Sequence, residues 1–361
     1  MVRVINDIFN AIFAIMKTTV TVAIVAIDEC MASAIAGSID MLYAANRIID
    51  AMGKKELPRF EWKVVSVSGR PVKTGNGMLQ AVDCSLKGIR QVDVIYIPGM
   101  SVIDETRLVN ILENNRPLIT WLARRAAGKS LITSSCTGSF FVAEAGLLRD
   151  KQATTGWPVE GLFAARYPDI HLNSGELLVA ADSILSAGAS TSYQDLMLEV
   201  IRRYSNSRVA NLTARYLLLD SSRHSQAAFR VSSVRKYDDP VVTKAHELMQ
   251  KNLSDPLQVP ELAARLNVSD RTLIRRFKSA TGQGPNACLQ NLRIDKAKWL
   301  LESTGKSHES VASSVGYTDI SSFRRLFKRS IGMTMGDYRK RFRSRRQTRR
   351  PSRPESSPRI S

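Results

Sequence analysis

A cysteine lies at a corner between two contrasting stretches of the sequence. Residues 131–135, LITSS, form a short strand-like run, and residues 140–148, FFVAEAGLL, have the composition of a buried helix. Where a strand turns sharply into a helix, the corner side chain is lifted out of the sheet and the first amides of the helix point toward whatever binds beside it. Cys136 therefore occupies the place of an attacking nucleophile.

A cysteine nucleophile needs a base, and the first 200 residues offer one candidate. Of the four histidines only His171 precedes residue 200; the others are His224, His246 and His308. The four cysteines, at 30, 84, 136 and 288, show no spacing typical of a zinc site or of a disulfide framework. We therefore expect no metal or other cofactor, and a reducing, cytoplasmic setting.

A parallel sheet must position these residues. Short β-rich runs such as TVAIVAI, EWKVVSVSG and VDVIYIPG alternate with helical segments through the first 200 residues, and VKTGNGMLQAV reads as a hairpin or crossover. Apolar strands separated by amphipathic helices indicate a flavodoxin-like α/β sandwich with a parallel sheet. Ligands of such sheets bind at the carboxyl ends of the strands. We predict a ligand site there, lined by Asp28, Glu29, Gly99, Met100, Cys136, Thr137 and Gly138.

The chemistry of these residues favours a small zwitterionic ligand. A helix N-terminus attracts a carboxylate, and the acidic pair Asp28 and Glu29 would attract a cationic group. An amino-acid-like or quaternary-amine metabolite suits both ends. Two other interpretations of Cys136 stay open: packing as a small apolar residue, and redox sensing by a thiol whose pKa is lowered at a helix N-terminus.

Charge is distributed unevenly along the chain. Lys and Arg number 52 against 33 Asp and Glu, a formal net charge of +19. The first 200 residues hold 19 basic and 20 acidic side chains, so the excess lies in residues 201–361. This asymmetry indicates a neutral module joined to one that binds a polyanion. Charged residues interrupt the apolar N-terminus before any run reaches the ~18 residues of a membrane span, so we expect no membrane partner.

The basic part of the chain repeats itself. Residues 262–285, LAARLNVSDRTLIRRFKSATGQGP, parallel residues 311–335, VASSVGYTDISSFRRLFKRSIGMTM, with an offset of 49 before the turn and 50 after it. Each copy predicts two short helices joined by a tight turn, at about 259–282 and 309–332. Ser269 and Asp319 are predicted N-caps of the second helices. We expect the inner faces to be Leu273, Ile274 and Phe277, and Phe323, Leu326 and Phe327.

The outer faces of these second helices are basic and polar. A helix of this kind fits the major groove of B-DNA, where arginine reads guanine edges and serine or threonine bonds to phosphates or bases. The predicted DNA-contacting residues are Ser269, Arg271, Thr272, Arg275, Arg276 and Lys278 in the first unit and Ser321, Ser322, Arg324, Arg325 and Lys328 in the second. The alternative, two solvated basic helices in an ordinary bundle, explains neither the duplication nor the charge. An apolar-periodic helix from Pro285 connects the units.

Both parts of the chain resemble known families. GQGPNACLQNLRIDKAKWLL and DISSFRRLFKRSIGMTMGDYR resemble the DNA-binding domain of AraC/XylS-type transcription regulators, with Met335 where that family usually has proline. VDVIYIPGM, SSCTGSFFVAEAGLL, KQATTGW and ILSAGASTSYQDLMLEVI resemble the class I glutamine amidotransferase-like domain of the PfpI type. Regulators with this domain commonly read ATTHW where this chain reads ATTGW, so Gly156 replaces the histidine that the resemblance implies.

These patterns predict a domain organisation and a function. We expect an N-terminal extension (1–15), an amidotransferase-like sensor domain (16–221), a linker (222–238), an all-α DNA-binding domain (239–343) and a disordered basic tail (344–361). The predicted function is a transcription regulator that binds promoter DNA, as an activator, in response to a small-molecule effector. The resemblance implies a homodimer that contacts RNA polymerase. Because Gly156 cannot accept a proton, we expect no catalysis; the alternatives are a cysteine amidase or hydrolase fused to a DNA-binding domain, and a redox sensor acting through Cys136.

Overall fold

Seven strands form the central sheet of the first of two structural units. The structure, a computed structural model, describes residues 18–101, 104–220, 223, 225–230, 239–255 and 257–343. It divides into units Met1–Arg230 and Val231–Ser361. The sheet has the order β10-β11-β7-β6-β1-β2-β5. Its strands are β1 (Thr19–Val25), β2 (Arg59–Ser66), β5 (Cys84–Ser85), β6 (Val94–Ile97), β7 (Leu131–Ser135), β10 (Leu178–Ala181) and β11 (Ile184–Ala187).

The sheet is parallel except at one edge, where β10 and β11 are antiparallel. Two small additions flank it: the antiparallel hairpin β3 (Val72–Lys73) and β4 (Leu79–Gln80), and the parallel pair β8 (Gln152–Ala153) and β9 (His171–Leu172). The parallel α/β sheet predicted from the apolar runs is therefore confirmed. Every residue of β6 and β7 is buried, as expected of strands covered on both faces.

Seven helices accompany the described part of this sheet. They are α1 (Ala32–Ala51), α2 (Glu105–Asn114), α3 (Arg116–Ala126), α4 (Ser139–Glu144), α5 (Glu160–Arg166), α6 (Tyr193–Tyr204) and α7 (Ser207–Tyr216). The chain moves from β1 to β2 in one direction along the sheet and from β6 to β7 in the other. Because such crossovers are right-handed, α1 and the α2–α3 pair cover opposite faces. The reversal beside β1 and β6 creates the crevice in which ligands of such sheets bind.

The second unit is helical. It contains α8 (Pro240–Lys251), α9 (Val259–Arg265), α10 (Asp270–Thr281), α11 (Pro285–Ser303), α12 (His308–Ser313), α13 (Ile320–Ile331) and α14 (Met335–Phe342). The first half buries Leu262, Leu273 and Phe277 in a core with residues of α8 and α11. In the second half, aromatic rings contact one another in series from Tyr317 through Phe323, Phe327 and Tyr338 to Phe342. The predicted all-α domain with two helix-turn-helix units is confirmed.

The predicted linker differs from the structure in its first part. Residues 225–230 pack onto the first unit, where the side chain of Gln226 is buried and hydrogen-bonded. Residues 231–238 of that linker, the predicted extension 1–15 and the predicted tail 344–361 lie outside the described residues. Across the described ranges, no helix combines the length and apolar character needed to cross a bilayer.

Candidate functional site

Cys136 stands at a strained corner between β7 and α4. Its backbone φ is +50°, a value that side chains other than glycine rarely adopt. Its N–H donates to the carbonyl of Gly188 over 2.9 Å. Its own carbonyl accepts hydrogen bonds from the hydroxyls of Ser139, at 2.8 Å, and Thr155, at 3.0 Å. The predicted corner between strand and helix is therefore present, and hydrogen bonds from neighbouring segments hold the strained residue in place.

The predicted ligand-binding residues converge on this corner, but most of them are internal supports. The N–H of Met100 donates to Thr137 Oγ1 over 2.6 Å, and that hydroxyl donates to the Met100 carbonyl over 3.1 Å. Thr137, Met100, Gly99 and Gly138 are buried. A Cβ atom at Gly99 would lie 2.8 Å from Cys136 Cβ, so only glycine allows the β6 end to approach the corner this closely. Cys136 itself is only partly buried.

Both acidic residues of the predicted site already accept hydrogen bonds from the chain. Glu29 Oε1 accepts hydrogen bonds from Arg107 Nη2 at 2.7 Å and Nε at 3.0 Å. Asp28 Oδ1 accepts a hydrogen bond from the N–H of Lys73 over 2.9 Å. A cationic ligand at this edge would compete with the Arg107 guanidinium for Glu29, whereas Asp28 keeps its charge beside a backbone amide. The expectation that this edge attracts a cationic group stays a prediction.

Gly156 lies directly beside the thiol. A Cβ atom at position 156 would stand 2.5 Å from Cys136 Sγ. The residue that the resemblance aligned with a catalytic histidine is thus next to the cysteine, and a side chain there would need the space that Sγ occupies. His171 is no substitute: it lies exposed in β9, and the structure gives it no hydrogen bond to Cys136 among the described residues.

Burial and hydrogen bonding have opposite effects on the pKa of the Cys136 thiol. Burial raises the pKa of Cys136 above its ordinary value, although hydrogen bonds from the backbone at Ser190, Thr137 and Gly156 act in the opposite direction. The lowered pKa predicted for a redox-sensing cysteine at a helix N-terminus is therefore wrong, because desolvation of the thiolate outweighs the amides around it. Within the described residues, no three His, Cys, Asp or Glu side chains are placed to hold a metal ion.

Gln226 supports the loops behind this corner, a role that was not predicted. Its Nε2 donates to the carbonyls of Thr155, at 2.8 Å, and Ser174, at 3.0 Å, and its Oε1 accepts the N–H of Ala189 at 2.9 Å. Gly188, which accepts the Cys136 N–H, lies so close that a Cβ there would be 2.6 Å from the Gln226 amide. Nothing in the surrounding Ser- and Arg-rich sequence distinguishes this glutamine.

The second unit presents the two predicted recognition helices, α10 and α13. Ser269 Oγ accepts the Thr272 N–H at 3.2 Å, and the Asp319 carboxylate accepts the N–H groups of Ser321 and Ser322 at 2.9 and 3.0 Å. Each helix ends in a glycine with positive φ, Gly282 at +74° and Gly332 at +80°. Both predicted N-caps are therefore confirmed, and the two helices also share a left-handed glycine at their C-terminal ends.

The predicted DNA-contacting side chains differ in their exposure and in their contacts within the chain. Arg276 pairs with Asp239, the N-cap of α8, at 3.2 Å, and Arg324 pairs with Glu309 at 3.0 Å. Arg325 donates to Ser322 Oγ at 3.0 Å. The side chains of Arg271, Arg275, Lys278, Ser321, Arg324, Arg325 and Lys328 are exposed, whereas Thr272, Arg276 and Ser322 are half-buried and Ser269 serves as a cap.

One inner-face assignment is wrong. Leu273 and Phe277 are fully buried, but Ile274 is 39% exposed. In α13 all three predicted inner residues, Phe323, Leu326 and Phe327, are buried. The position that follows Leu273 by one residue lies at the margin of the buried arc, where helical periodicity alone does not decide burial.

Comparison with known proteins agrees with both units. Residues 55–203 match the DJ-1/PfpI family, and residues 262–341 match a helix-turn-helix domain. The HTH-type transcriptional regulator CdhR of Pseudomonas aeruginosa is 28% identical over 74% of this chain and 78% of its own length. GbdR, an HTH-type transcriptional regulator of the same species, is 24% identical over 87% of this chain and 82% of its own length.

A crystal structure of an AraC family transcriptional regulator from Pseudomonas putida superposes with a TM-score of 0.43 and 18% identity, covering 55% of this chain and 99% of that one. Fold, site and sequence matches together define a two-domain protein in which a DJ-1/PfpI domain precedes a helix-turn-helix domain. The C-terminal unit carries the helix-turn-helix domain, and the chain is a DNA-binding transcriptional regulator of the HTH type.

Proposed function

We propose that the DJ-1/PfpI domain is a non-catalytic sensor that binds a small molecule beside Cys136 and thereby controls promoter binding. The observation that carries this proposal is the position of Gly156 against Cys136 Sγ. A thiol attack requires a base that removes the proton, and here the adjacent residue has no side chain. The raised pKa of Cys136 further reduces the thiolate available at neutral pH.

The effector class follows from what lines the corner. Backbone hydrogen bonds at Ser190, Thr137 and Gly156 partly offset the effect of burial on the thiol, so we propose that an electron-rich group can be accommodated at this corner. Since Asp28 and Glu29 are already engaged, the carboxylate end of an amino-acid-derived metabolite has more support than a cationic end. The regulator would work in the cytoplasm, as a homodimer that contacts RNA polymerase at the promoter.

Gln226 supports a route from this site toward the DNA-binding unit. Thr155 links the two directly: its hydroxyl donates to the Cys136 carbonyl, and its carbonyl accepts from Gln226. Gly188 makes a second link, since it accepts the Cys136 N–H and contacts the Gln226 amide. Gln226 precedes the start of the second unit by five residues. A ligand that moves either loop would therefore change how firmly the connecting chain is anchored.

Native mass spectrometry and DNA titration of the full chain test the proposal. The chain, natural and Cys136→Ala, is incubated with a pool of amino acids, their derivatives and quaternary amines. We expect a non-covalent added mass in both proteins, no hydrolysis of amide substrates, and a change of about 5–150-fold in affinity for a selected DNA duplex. A covalent adduct, or amide hydrolysis that depends on Cys136, would instead support the hydrolase or redox alternative.

A Gln226→Ala variant separates sensing from coupling. We expect it to bind the compound as the natural chain does but to show a smaller change in DNA affinity. Gln152→Ala is the matched control, because Gln152 is an exposed glutamine of the same unit. An unchanged response in Gln226→Ala would overturn the proposed route while leaving the sensor function intact.

A further inference from the structure

Ile274 is an apolar side chain on the basic face of α10. Its neighbours on the helix surface, three residues before and four after, are Arg271 and Lys278, and both are exposed. Leu273 and Phe277 hold the helix to the core without it. An isolated exposed apolar residue needs no explanation by itself. The second copy of the helix-turn-helix unit provides an independent comparison for this position.

The internal duplication shows that the position of Ile274 faces outward in both recognition helices. The residue that matches Ile274, fifty positions later in α13, is Arg324, which is also exposed. Because the equivalent residue is charged and exposed, this helix position is not a core position of the helix-turn-helix fold. Both residues are the fifth of their helices when Ser269 and Asp319 are taken as caps. The N-terminal part of a recognition helix is the part that contacts base edges in the major groove.

An isoleucine in the groove can recognise one feature of DNA. It has no donor or acceptor, so it cannot read the hydrogen-bonding edges of the bases. The C5-methyl group of thymine is the apolar group that the major groove exposes. We propose, on the basis that the C-terminal helical unit binds DNA, that Ile274 contacts a thymine methyl group. We also propose that the two recognition helices, α10 and α13, read different half-sites.

The other recognition positions support different half-sites. Arg271 in α10 corresponds to Ser321 in α13, and the half-buried Arg276 corresponds to the buried Leu326. Arg275 with Arg325, Lys278 with Lys328, and the half-buried hydroxyl residues Thr272 with Ser322 are the chemically matched pairs. On this proposal, α10 combines arginine contacts to guanine with an apolar contact to thymine. In α13 a further arginine, Arg324, takes the place of the isoleucine.

Thymine-to-uracil substitution tests the contact, because uracil lacks only the methyl group. A duplex is first selected from a random library with the full chain, and each thymine is then replaced in turn. We expect one replacement in one half-site to weaken binding of the natural chain about fourfold, the value of one buried methyl-sized group. The same replacement should have little effect on Ile274→Ala. Trp299→Ala, which removes an exposed apolar side chain from α11 of the same unit, should retain the fourfold loss.

Three results would decide against parts of this account. A scan of the natural chain that finds no methyl-sensitive thymine overturns the contact without requiring any variant. A thymine whose methyl matters equally to the natural chain and to Ile274→Ala assigns it to another residue. Two identical half-sites in the selected duplex overturn the asymmetry. Failure to enrich any sequence would instead contradict DNA binding itself, which distinguishes the two levels of the proposal.

Discussion

Gly156 and Cys136 are in direct contact: a Cβ atom at position 156 would stand 2.5 Å from Sγ and 3.6 Å from Cys136 Cβ. The missing side chain and the position of the thiol are therefore coupled. A side chain at position 156 would overlap with the volume that Cys136 Sγ occupies. The site accommodates a glycine together with a cysteine, and changes at either position should depend on the other.

Gly156→Ala should destabilise the natural protein by about 1 kcal/mol, because the new methyl group overpacks the thiol. In a Cys136→Ala background the same change should cost much less, since the remaining Cβ atoms would be 3.6 Å apart, an ordinary contact. The measurement is a double-mutant cycle of thermal or denaturant unfolding. Equal costs in both backgrounds would mean that Sγ does not occupy this space.

Alkylation of Cys136 by iodoacetamide should be slow at pH 7.5 and should increase only at alkaline pH. The thiolate is the reactive form, and a pKa above the ordinary value leaves less of it at neutral pH. Peptide mapping by mass spectrometry follows the rate at Cys136 and, as an internal reference, at the half-buried Cys84. Fast modification of Cys136 at neutral pH would restore the redox interpretation.

Gln226→Leu should lower the stability of the first unit by about 1–3 kcal/mol. The substitution keeps the side-chain volume but leaves the Thr155 carbonyl and the Ala189 N–H without their partner, and unpaired buried groups are costly. Unfolding of the full chain by urea, followed by a probe in the first unit, measures the effect. The exposed Gln152→Leu change should be near neutral, and a similar loss there would show that the effect is not specific to the Gln226 contacts.

Arg275→Ala and Arg276→Ala should separate DNA reading from support of the fold. Arg275 is exposed, so its loss should weaken binding to a selected duplex by about 5–150-fold without changing the melting temperature. Arg276 pairs with Asp239, so its loss should cost about 0.2–1 kcal/mol of stability and affect DNA binding less. Fluorescence anisotropy and thermal melts of both variants make the comparison. Equal losses of DNA affinity would assign Arg276 to the DNA surface as well.

Removal of residues 344–361 should reduce the salt dependence of DNA binding. This segment contains six arginines and one glutamate. Each arginine that contacts a phosphate displaces condensed counterions and steepens the dependence of affinity on salt concentration. The slope of log affinity against log salt, for the full chain and for the shortened one, is the measurement. An identical slope would mean that the tail makes no phosphate contacts.

Local features of the second unit could be predicted with few errors. Ser269, Asp319, Gly282 and Gly332 lie where their capping chemistry requires, because caps involve only neighbouring residues and their backbone amides. In the first unit, β1 followed equally from a short apolar pattern, and the hairpin of β3 and β4 is one of the two alternatives, hairpin or crossover, that its segment predicted. Ile274 was misassigned because its burial depends on how α10 packs against the rest of the unit.

The chemistry at the N-terminal corner depended on contacts far apart in the chain. Arg107 neutralises Glu29 across 78 positions, and Gln226 bonds to Thr155 across 71. Neither pair has a sequence signal, because any arginine or glutamine on a surface loop would look the same. The pKa of Cys136 likewise reflects burial, which no motif reports.

The amino-acid sequence by itself determined the order of elements, the duplication, the basic character of the recognition helices and the absence of a side chain at Gly156, since these reside in local periodicity and residue identity. Tertiary structure decided which side chains remain free to act. It placed Gly156 against Cys136, engaged both acidic residues of the corner and exposed Ile274. Packing and desolvation arise only when distant segments meet, so a linear pattern cannot express them.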